Sequence, residues 1–384
     1  MATNLAVILV AFCMTSAVTM TAAKQLWIGT SPFCDGQPRD CPIFDMTYIR
    51  SDKYGDGKMC LTGSKVLCES KPLPHDLRDS PANEINIASY NVFERPYFIT
   101  HDGQTERTCH IPRALLSRFP ELDVVIFEEA FMGGCWYDNQ LVSMRAIMAA
   151  YGFPYYTETV GSFLDAYFII NGGVFIASRW PITSSVRMQF ADSGHADKFS
   201  KKGAVYARIN KMGSVYHIVG THMQAQIGDS YDKIRVKQAI ELQEFLANMK
   251  LPSSEPVLIG GDFNCDLNNN PTNANDVIST GMNAEMPEII GEVRATFDYL
   301  TNDVVEPGNT LLEWLDYVVH SRSHKAPKSA SLEADRLTAD QDITYCNSAP
   351  VQPYYVWPWA STCAKVKTTR HLSDHYPVIA RFKF

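Results

Sequence analysis

The chain lacks the short motifs that identify several common hydrolases. No serine lies in a Gly-x-Ser-x-Gly elbow, and no Walker A loop is present. Serine acyl transfer by that route and P-loop chemistry are therefore not indicated. The chain also lacks an excess of positive charge, because its 384 residues carry a formal net charge of -8. Since phosphate neutralisation supplies most of the affinity of nonspecific nucleic-acid binding, this charge argues against a nucleic-acid substrate.

Internal repeats, low-complexity tracts and Asn-x-Ser/Thr sequons are absent as well. Without sequons, glycosylation signals lend no support to secretion. With 46% hydrophobic and 20% charged residues, the composition is that of an ordinary globular protein. The length allows one large domain of about 250 to 300 residues together with an appendage.

The first 23 residues carry no charged side chain, and residues 5–14 form an apolar run that small residues follow. This pattern predicts a secretory signal peptide over residues 1–23, because the run is too short for a convincing membrane span. A buried core segment is the alternative, since no Lys or Arg precedes the run. The favoured interpretation predicts a secreted, extracellular protein.

Cysteine usage agrees with export. Nine cysteines follow the predicted signal peptide, and four of them lie within residues 29–70 among Gly, Pro, Asp and Lys. This density predicts a small region stapled by disulfides. A zinc site is the alternative, although no histidine lies within the cluster. The odd count leaves one free thiol, for which Cys265 is the candidate. A linker rich in proline and charge follows, so the predicted organisation is residues 1–23 (signal peptide), 24–82 (cysteine-rich extension and linker) and 83–384 (catalytic domain).

Segments typical of strands and helices alternate from residue 83 onward. Predicted strands share an enrichment in Val, Ile and aromatic residues. They span residues 85–93, 122–131, 172–182, 203–210, 214–225, 256–264, 312–321 and 376–384. One predicted helix begins at Gln140. Another follows Asp229 and Ser230, which can cap it, and carries an apolar stripe at helical spacing.

Polar side chains recur at or just beyond the ends of these strands. They are Asn91, Glu129, His222, Asp262, Asn264, Asp316, Asp374 and His375. Such groups are costly next to a buried strand unless they are hydrogen-bonded or hold a metal. The strings GGDFN and LSDHYPV would each more often be a turn when taken alone. Repeated at so many strand ends, they predict an active site across a sheet edge.

The residue types of this set favour metal-assisted hydrolysis of a phosphoester. Carboxylate and amide oxygens suit a hard cation, Mg²⁺ in particular. Two histidines beside such an ion suit the removal of a proton from water and the supply of a proton to a leaving oxygen.

The order of these motifs resembles the DNase I-like endonuclease/exonuclease/phosphatase superfamily over residues 85–384. The motifs are SYNVF, GQTER, VVIFEEAF, GGVFIASRWPI, ADKFSKKG, GTHMQAQ, IGGDFN, WLDYVV and SDHYPV. Within that superfamily the chain is most similar to the secreted neutral sphingomyelinases, on the basis of GQTER, Asp-x-x-Ser-x-Lys-Gly and GTHxQAQ.

The resemblance implies an α/β fold, a four-layer sandwich in which two stacked mixed β-sheets are flanked by helices. It implies that Glu129 and Asn91 bind a central Mg²⁺, with Mn²⁺ or Co²⁺ as substitutes. Glu128 is the alternative carboxylate ligand, and otherwise a structural or solvated residue. A second metal at the edge, known in bacterial relatives, is not expected, because Gly133, Ile170 and Asn171 occupy the corresponding positions.

The resemblance also implies roles for the remaining residues of the set. Asp262 and Asn264 orient the water and the phosphate, and Asp374 lies beside both metal and phosphate. His375 is the general base, oriented by Asp316, and His222 is the general acid, although the two roles could be exchanged. On the substrate side, the family's aspartate corresponds to Asp197, and Lys202 helps to hold the phosphate.

The implied reaction is hydrolysis of sphingomyelin, in a membrane or lipoprotein surface, to ceramide and phosphocholine by in-line attack of water. An aromatic segment at residues 350–361 suits peripheral membrane contact through Tyr354, Tyr355, Trp357 and Trp359. The alternative for this segment is a proline-ordered loop packed on its own domain. No nucleic acid and no obligate protein partner is expected. The alternatives for the whole chain are a secreted nuclease of the same fold and a catalytically silent membrane-binding or toxin-like protein.

Overall fold

A computed structural model describes residues 24–384 apart from 97–100, 132–133, 138–139, 162–170, 306–307, 309 and 348–365. The predicted signal peptide at 1–23 and the predicted membrane-contact residues Tyr354, Tyr355, Trp357 and Trp359 lie outside the described residues. No described helix combines the length and the hydropathy that crossing a membrane requires.

The secondary structure consists of many short strands and few helices. The strands are β1 (Gln25–Ile28), β2 (Met46–Asp52), β3 (Lys65–Ser70), β4 (Glu84–Asn91), β5 (Val124–Glu128), β6 (Gly134–Tyr137), β7 (Gln140–Ser143), β8 (Tyr155–Tyr156), β9 (Phe175–Ser178), β10 (Ile182–Gln189), β11 (Gly203–Lys211), β12 (Ser214–His222), β13 (Val257–Asp262), β14 (Ala284–Glu285), β15 (Glu288–Ile289), β16 (Phe297–Asp298), β17 (Leu312–Glu313), β18 (Asp316–Ser321), β19 (Ser329–Ala334), β20 (Thr338–Cys346), β21 (Val366–His371) and β22 (Val378–Lys383). The helices are α1 (Asp40–Ile43), α2 (Gln104–Thr108), α3 (Ile111–Arg118), α4 (Met144–Ala150), α5 (Asp229–Asn248) and α6 (Pro271–Asn275), with a 3₁₀ turn at His195–Phe199 and a π-helical turn at Asp276–Gly281.

Two mixed sheets form the centre of the fold. Within the described residues, one has seven strands in the order β15-β19-β22-β4-β5-β9-β8, and the other has six in the order β10-β11-β12-β13-β18-β14. Their facing side chains, among them Ile126, Ile218 and Val318, belong to one buried cluster. The sheets approach closely at Gly260, where an added Cβ would lie 2.7 Å from Ile126 Cδ1.

Helices cover the outer faces and complete the four-layer α/β sandwich that the sequence predicts. Leu115 of α3 and Ile147 of α4 pack with Phe127 in a second buried cluster on the seven-stranded sheet. Ala239 and Leu242 of α5 pack with the cluster of the six-stranded sheet. The predicted apolar stripe of α5 thus serves as core packing.

The cysteine-rich extension forms its own small antiparallel sheet, in the order β1-β3-β2. Disulfides Cys34–Cys60 and Cys41–Cys68 staple it, which confirms the disulfide interpretation over the zinc alternative. The extension packs against the helical layer, where His110 Nδ1 lies 2.6 Å from Asp45 Oδ2.

Elsewhere, a disulfide joins Cys109 to Cys135, and Cys346 is also disulfide-bonded. Buried Cys265 is the free cysteine of the described chain, as predicted. No helix or strand lies between β3 and β4, where the linker is predicted.

Three element predictions were wrong. The strand predicted over 312–321 is two strands, β17 and β18, which belong to different sheets. The segment from Gln140 begins as strand β7 and becomes helix α4 only at Met144, where Ser143 Oγ caps the helix by accepting from Ala146 N at 3.1 Å. The single strand predicted over 172–182 is two strands, β9 and β10. It breaks before Pro181, which has no N–H to donate to a ladder.

Candidate active site

Four strands end together and bring the predicted site residues to one edge of the sandwich, called here the site end. β4 and β5 run parallel and pair Asn91 with Glu128. In the other sheet, β12 and β13 run parallel and pair His222 with Asp262, which in turn pairs with Asp316 at the start of antiparallel β18. The strand registers therefore place polar residues from the ends of strands in both sheets at the same edge of the sandwich.

The two sheets are joined at the site end by the Asn91 amide. Buried Asn91 Nδ2 donates to Glu129 Oε1 at 3.3 Å and to Asp262 Oδ2 at 3.0 Å. Its Oδ1 accepts from Phe93 N at 3.0 Å. Glu129 has a positive φ of 52° and is partly exposed, so its carboxylate is accessible at the mouth of the site.

Glu128 has a different environment from its neighbour. It is fully buried, and Ser89 Oγ donates to its Oε1 at 2.7 Å. Burial, followed by the charge of Asp316, raises the pKa of Glu128 well above its usual range. The structure thus places Glu128 between the sheets and Glu129 beside Asn91, where the metal is predicted.

The predicted histidines approach the same carboxylate from two sides. His222 Nε2 lies 3.4 Å from Asp262 Oδ2, and His375 Nε2 lies 3.9 Å from that oxygen. His375 Nδ1 is 2.8 Å from Asp316 Oδ2, and the His375 ring meets the ring of Phe297 edge to face at 4.9 Å. Asp316 therefore orients His375 and leaves its Nε2 facing Asp262.

The electrostatic surroundings drive the two histidines in opposite directions. Burial, assisted by the charge of Lys202, lowers the pKa of His222 well below its usual value. Burial also opposes protonation of His375, but Asp316, Asp262 and Asp374 outweigh it and raise its pKa well above the usual value. In the metal-free protein these surroundings therefore favour the neutral form of His222 and the charged form of His375.

Lys202 and Asp197, the residues of ADKFSKKG that are predicted to lie on the substrate side, are found beside His222. Buried Lys202 Nζ lies 2.9 Å from His222 Nε2, donates to Met223 O at 2.6 Å and lies 3.1 Å from Asp197 Oδ2. The same aspartate oxygen accepts from Gln224 Nε2 and from Ala225 N, both at 2.8 Å. The side chain of Asp197 therefore holds Lys202 and the GTHMQAQ loop in place.

Asn264 and Asp374 complete the set. Asn264 has a positive φ of 53°, its N–H donates to Asp262 Oδ1 at 2.9 Å, and its Nδ2 donates to Met223 O at 3.3 Å. Asp374 Oδ1 accepts from Ser373 Oγ at 3.2 Å. All eight residues predicted at strand ends, with Asp197 and Lys202, lie in one connected region.

The carboxylates of this region crowd one another. Burial, followed by the charge of Asp316, raises the pKa of Asp262 to about 7. Burial and the charge of Glu129 raise the pKa of Asp374 to about 6, against the opposing influence of His375. Within the described chain, Glu128 Oε2 and Asp316 Oδ1 are the only carboxylate oxygens among the buried side-chain atoms that lack a hydrogen-bond partner. Such crowding would be relieved by a bound cation.

The donor set fits a hard cation. Glu129, Asn91, Asp262 and Asp374 offer oxygen ligands from both sheets, the chemistry that Mg²⁺ prefers. Asp262, Asp316 and His375 also offer ligand atoms within 4.8 Å of one another. However, Asp316 Oδ2 is already paired with His375 Nδ1, so we favour the Glu129 side as the cation site.

Three contributors to the site were not identified from the sequence. Ser373 Oγ donates to Asn91 O at 2.6 Å, and Thr296 Oγ1 accepts from Asp316 N at 3.2 Å. Arg107 donates to the carbonyl oxygens of Val92, which follows Asn91, and of Leu372, which precedes Ser373. Arg107 belongs to GQTER and Ser373 to SDHYPV, so the motifs contained a signal for these two. Thr296 lies in no motif and is revealed only by the fold.

Of the three positions that correspond to the edge-metal ligands of bacterial relatives, the structure describes one, Asn171. Gly133 and Ile170 lie outside the described residues. Asn171 uses its side chain on the backbone, because its Oδ1 accepts from Gly173 N at 2.8 Å and its Nδ2 donates to Phe131 O at 3.4 Å.

Comparison with known proteins gives a consistent result. The model of the Endonuclease/Exonuclease/phosphatase family matches residues 88–375. Sphingomyelinase C of Bacillus cereus is 32% identical over 283 residues, which cover 69% of this chain and 81% of the relative. Sphingomyelinase C of Leptospira interrogans is 30% identical over 352 residues, and the match covers 85% of this chain but 56% of that longer relative. A solved structure of beta toxin from Staphylococcus aureus with bound magnesium ions aligns with a TM-score of 0.62 at 25% identity, over 78% of this chain and all (100%) of that one.

Proposed function

The chain belongs to the endonuclease/exonuclease/phosphatase family and groups within it with the sphingomyelinases C, and from this premise we propose that it is a metal-dependent phosphodiesterase that hydrolyses sphingomyelin to ceramide and phosphocholine. The observation that carries the proposal is the convergence of two histidine Nε2 atoms on one carboxylate oxygen, Asp262 Oδ2. Phosphoester hydrolysis needs one group to take a proton and another to give one.

The cation of this site is proposed to be Mg²⁺, held by Glu129 and Asn91 with Asp262 and Asp374 at the same mouth. When bound, it would neutralise the charge that develops on the phosphoryl oxygens. Mn²⁺ and Co²⁺ are proposed as substitutes, since they also accept oxygen ligands. The magnesium ions of the beta toxin structure support the choice of metal.

The proton steps are assigned to the histidines by their partners. Asp316 accepts the Nδ1–H of His375 and stabilises its imidazolium form. A bound cation would offset the charge of Asp262 and Asp374 that favours protonated His375 in the metal-free protein, so that a neutral Nε2 could take a proton from water. His222 is proposed to supply the proton to the leaving oxygen, with Lys202 beside it to hold the phosphate. The pKa directions of the metal-free protein suit the exchanged assignment, in which His222 is the base and His375 the acid. That assignment predicts that loss of His375, rather than of His222, is compensated by substrates with a better leaving group.

Secretion and attack on lipid at a membrane or lipoprotein surface are part of the proposal. The predicted signal peptide and the disulfides Cys34–Cys60, Cys41–Cys68 and Cys109–Cys135 support an oxidising compartment. Docking is assigned to the aromatic segment at 350–361. Replacing Trp357 and Trp359 by alanine should weaken binding to sphingomyelin liposomes and spare hydrolysis of a soluble phosphocholine ester. An equal loss of both would contradict the docking role.

One substrate panel tests the proposed activity. The purified protein is incubated with sphingomyelin, phosphatidylcholine, lysophosphatidylcholine and plasmid DNA, with Mg²⁺ and with EDTA. We expect phosphocholine release from sphingomyelin that EDTA abolishes. DNA cleavage without phosphocholine release would overturn the substrate assignment in favour of a nuclease. Activity that EDTA leaves unchanged would overturn the metal assignment.

A further inference from the structure

Arg107 is a buried arginine whose side chain is fully used by the backbone of the site end. It lies in α2, in the GQTER motif, and has no solvent exposure. Its Nη1 donates to Leu372 O at 2.6 Å and to Val92 O at 3.4 Å, and its Nη2 donates to Phe93 O at 3.0 Å. Its Nε donates to Asp102 O at 3.1 Å. Because a buried charge is costly unless it is hydrogen-bonded, these bonds fix the positions of the guanidinium and of the carbonyl groups that accept from it.

Three of the four carbonyls that Arg107 binds flank the functional residues of two loops at the site. Val92 and Phe93 directly follow Asn91, and Leu372 precedes the sequence Ser373-Asp374-His375. One guanidinium therefore links the loop of the proposed metal site to the loop of the proposed base. The two loops also meet directly, because Ser373 Oγ donates to Asn91 O at 2.6 Å.

The turn held by Arg107 also sets the orientation of the Asn91 amide. Phe93 has a positive φ of 51°, a conformation that costs energy for a bulky residue and persists only when its surroundings enforce it. In that conformation Phe93 N donates to Asn91 Oδ1. Arg107 binds the carbonyl oxygens of Val92 and Phe93, so it stabilises the backbone on which the amide depends.

Helix α2 is itself anchored, which gives Arg107 a fixed base. Cys109, two residues further on, is disulfide-bonded to Cys135 in β6. That strand follows Glu129 along the chain, so the helix is also tied to the segment that leaves the proposed metal site. On the other side, the Asp102 carboxylate is shared between Arg107 at 3.4 Å and Arg95 at 2.8 Å.

We propose that Arg107 is a positioning residue that locks the Asn91 loop and the Asp374-His375 loop in their working arrangement. A planar guanidinium with five N–H groups can serve these divergent carbonyls, whereas the three donors of a lysine ammonium radiate from one atom and cannot. Replacement of a group that supports metal ligands typically costs about 10- to 100-fold in metal affinity or activity. The role in catalysis rests on the proposed function, and the effect on metal binding does not.

The deciding variant is Arg107→Lys, which keeps the charge and most of the chain length. Its matched control is Arg113→Lys in α3, because Arg113 pairs with Asp340 at 2.5 Å and contacts neither site loop. Mn²⁺ affinity is measured without substrate by electron paramagnetic resonance, kcat and KM are measured on sphingomyelin in mixed micelles, and folding is followed by thermal unfolding. Arg107→Ala is added to test rescue by free guanidinium, with ammonium as the negative control.

We expect Arg107→Lys to lose about tenfold or more in Mn²⁺ affinity and in kcat, with KM nearly unchanged and with Arg113→Lys equal to the wild type. Guanidinium should restore part of the activity of Arg107→Ala. Wild-type Mn²⁺ affinity and kcat in folded Arg107→Lys would overturn the proposal, as would losses that match only the unfolded fraction. If the wild type released no phosphocholine but Arg107→Lys still bound Mn²⁺ more weakly, the proposed function would fail and the positioning role would stand.

Discussion

The two ends of the sandwich bury charge in different ways. At the end opposite the site, fully buried Asp123 accepts from Ser80 Oγ at 2.9 Å, Asn86 N at 2.9 Å and Trp180 Nε1 at 2.7 Å, and pairs with buried Lys211 at 2.8 Å. At the site end, the carboxylates of Glu128 and Asp316 each keep one oxygen without a partner. Both ends bury carboxylates. They differ in whether the carboxylate oxygens all have hydrogen-bond partners.

This difference distinguishes buried carboxylates that stabilise the fold from buried carboxylates that belong to the proposed active site. A buried carboxylate whose lone pairs are all engaged stabilises one arrangement of the chain. Carboxylates left partly unsatisfied raise the free energy of the empty site, a cost that proteins tolerate at functional sites. The opposite end should therefore respond to mutation through stability, and the site end through activity.

The largest expected effect is on turnover at the site end. His222→Gln or His375→Gln removes a proton-transfer group, so kcat should fall by about 10²- to 10⁴-fold. Thermal unfolding should change little for His222→Gln, because its Nδ1 has no partner to lose and the new amide can still accept from Lys202. Undiminished turnover in either variant would remove that histidine from the mechanism.

The next effect is on stability at the opposite end. Asp123→Ala leaves Lys211 buried without its counter-charge, so the free energy of unfolding should fall by about 3 to 5 kcal/mol. Urea denaturation measures this change, and kcat per folded molecule should stay at the wild-type value. The control is Asp79→Ala, which removes a largely exposed partner of Arg179 and should cost less than about 1 kcal/mol. A large fall in kcat for folded Asp123→Ala would break the contrast between the two ends.

The adjacent pair Glu128 and Glu129 tests the contrast within the site end. Glu129→Gln should weaken Mn²⁺ binding at least about tenfold, as loss of a carboxylate ligand would. Glu128→Gln keeps the acceptor for Ser89 Oγ and should bind Mn²⁺ almost normally. The opposite result would make Glu128 the ligand.

Glu128 also predicts a pH dependence of stability in the metal-free protein. Its pKa is raised in the folded state, so the native protein holds a proton that the unfolded chain releases above about pH 4.5. The wild type should therefore lose stability relative to Glu128→Gln as pH rises from 4 to 7 in EDTA, measured by urea denaturation. Parallel curves for the two proteins would show that Glu128 titrates alike in both states.

Part of this picture could be predicted from the sequence and part could not. Strand ends such as Asn91, His222 and Asp262 are visible because a local apolar pattern stops at a polar residue, and the order of motifs indicated the sandwich. The switch from β7 to α4 was missed because Met144 to Ala150 extends an apolar pattern that begins before Ser143, where the cap is decided by one serine.

The sequence does not reveal which buried polar groups have all their hydrogen-bond partners. Asp123 and Asp316 both stand at the end of an apolar strand, and each looks like a site residue or a cap. Their difference depends on partners such as Ser80 and Lys211, which lie 43 and 88 residues from Asp123. Likewise, the role of Arg107 depends on Leu372 O, 265 residues away. Such contacts follow from the fold and not from local spacing.

The smallest expected effect is on the pH dependence of stability, and it follows from a comparison of two buried histidines on strand β12. Near its start, His217 Nδ1 lies 2.6 Å from Tyr206 Oη and its Nε2 lies 2.7 Å from Glu255 Oε2, whereas His222 at its end leaves Nδ1 unpartnered. Burial lowers the pKa of His217, with Glu255 acting in the opposite direction. The unfolded chain therefore binds a proton more readily, and the wild type should lose stability as pH falls below about 6.5.

His217→Gln removes this titration, so its stability relative to the wild type should improve by a few tenths of a kcal/mol to about 1 kcal/mol between pH 7 and pH 5. Urea denaturation at those two pH values measures the change, and kcat at pH 7 should stay at the wild-type value because His217 contacts no site residue. If His217→Gln instead lowered kcat as His222→Gln does, a histidine with both nitrogens satisfied would matter as much to turnover as one without. The hydrogen-bond partners of a buried histidine would then no longer distinguish the two ends of β12.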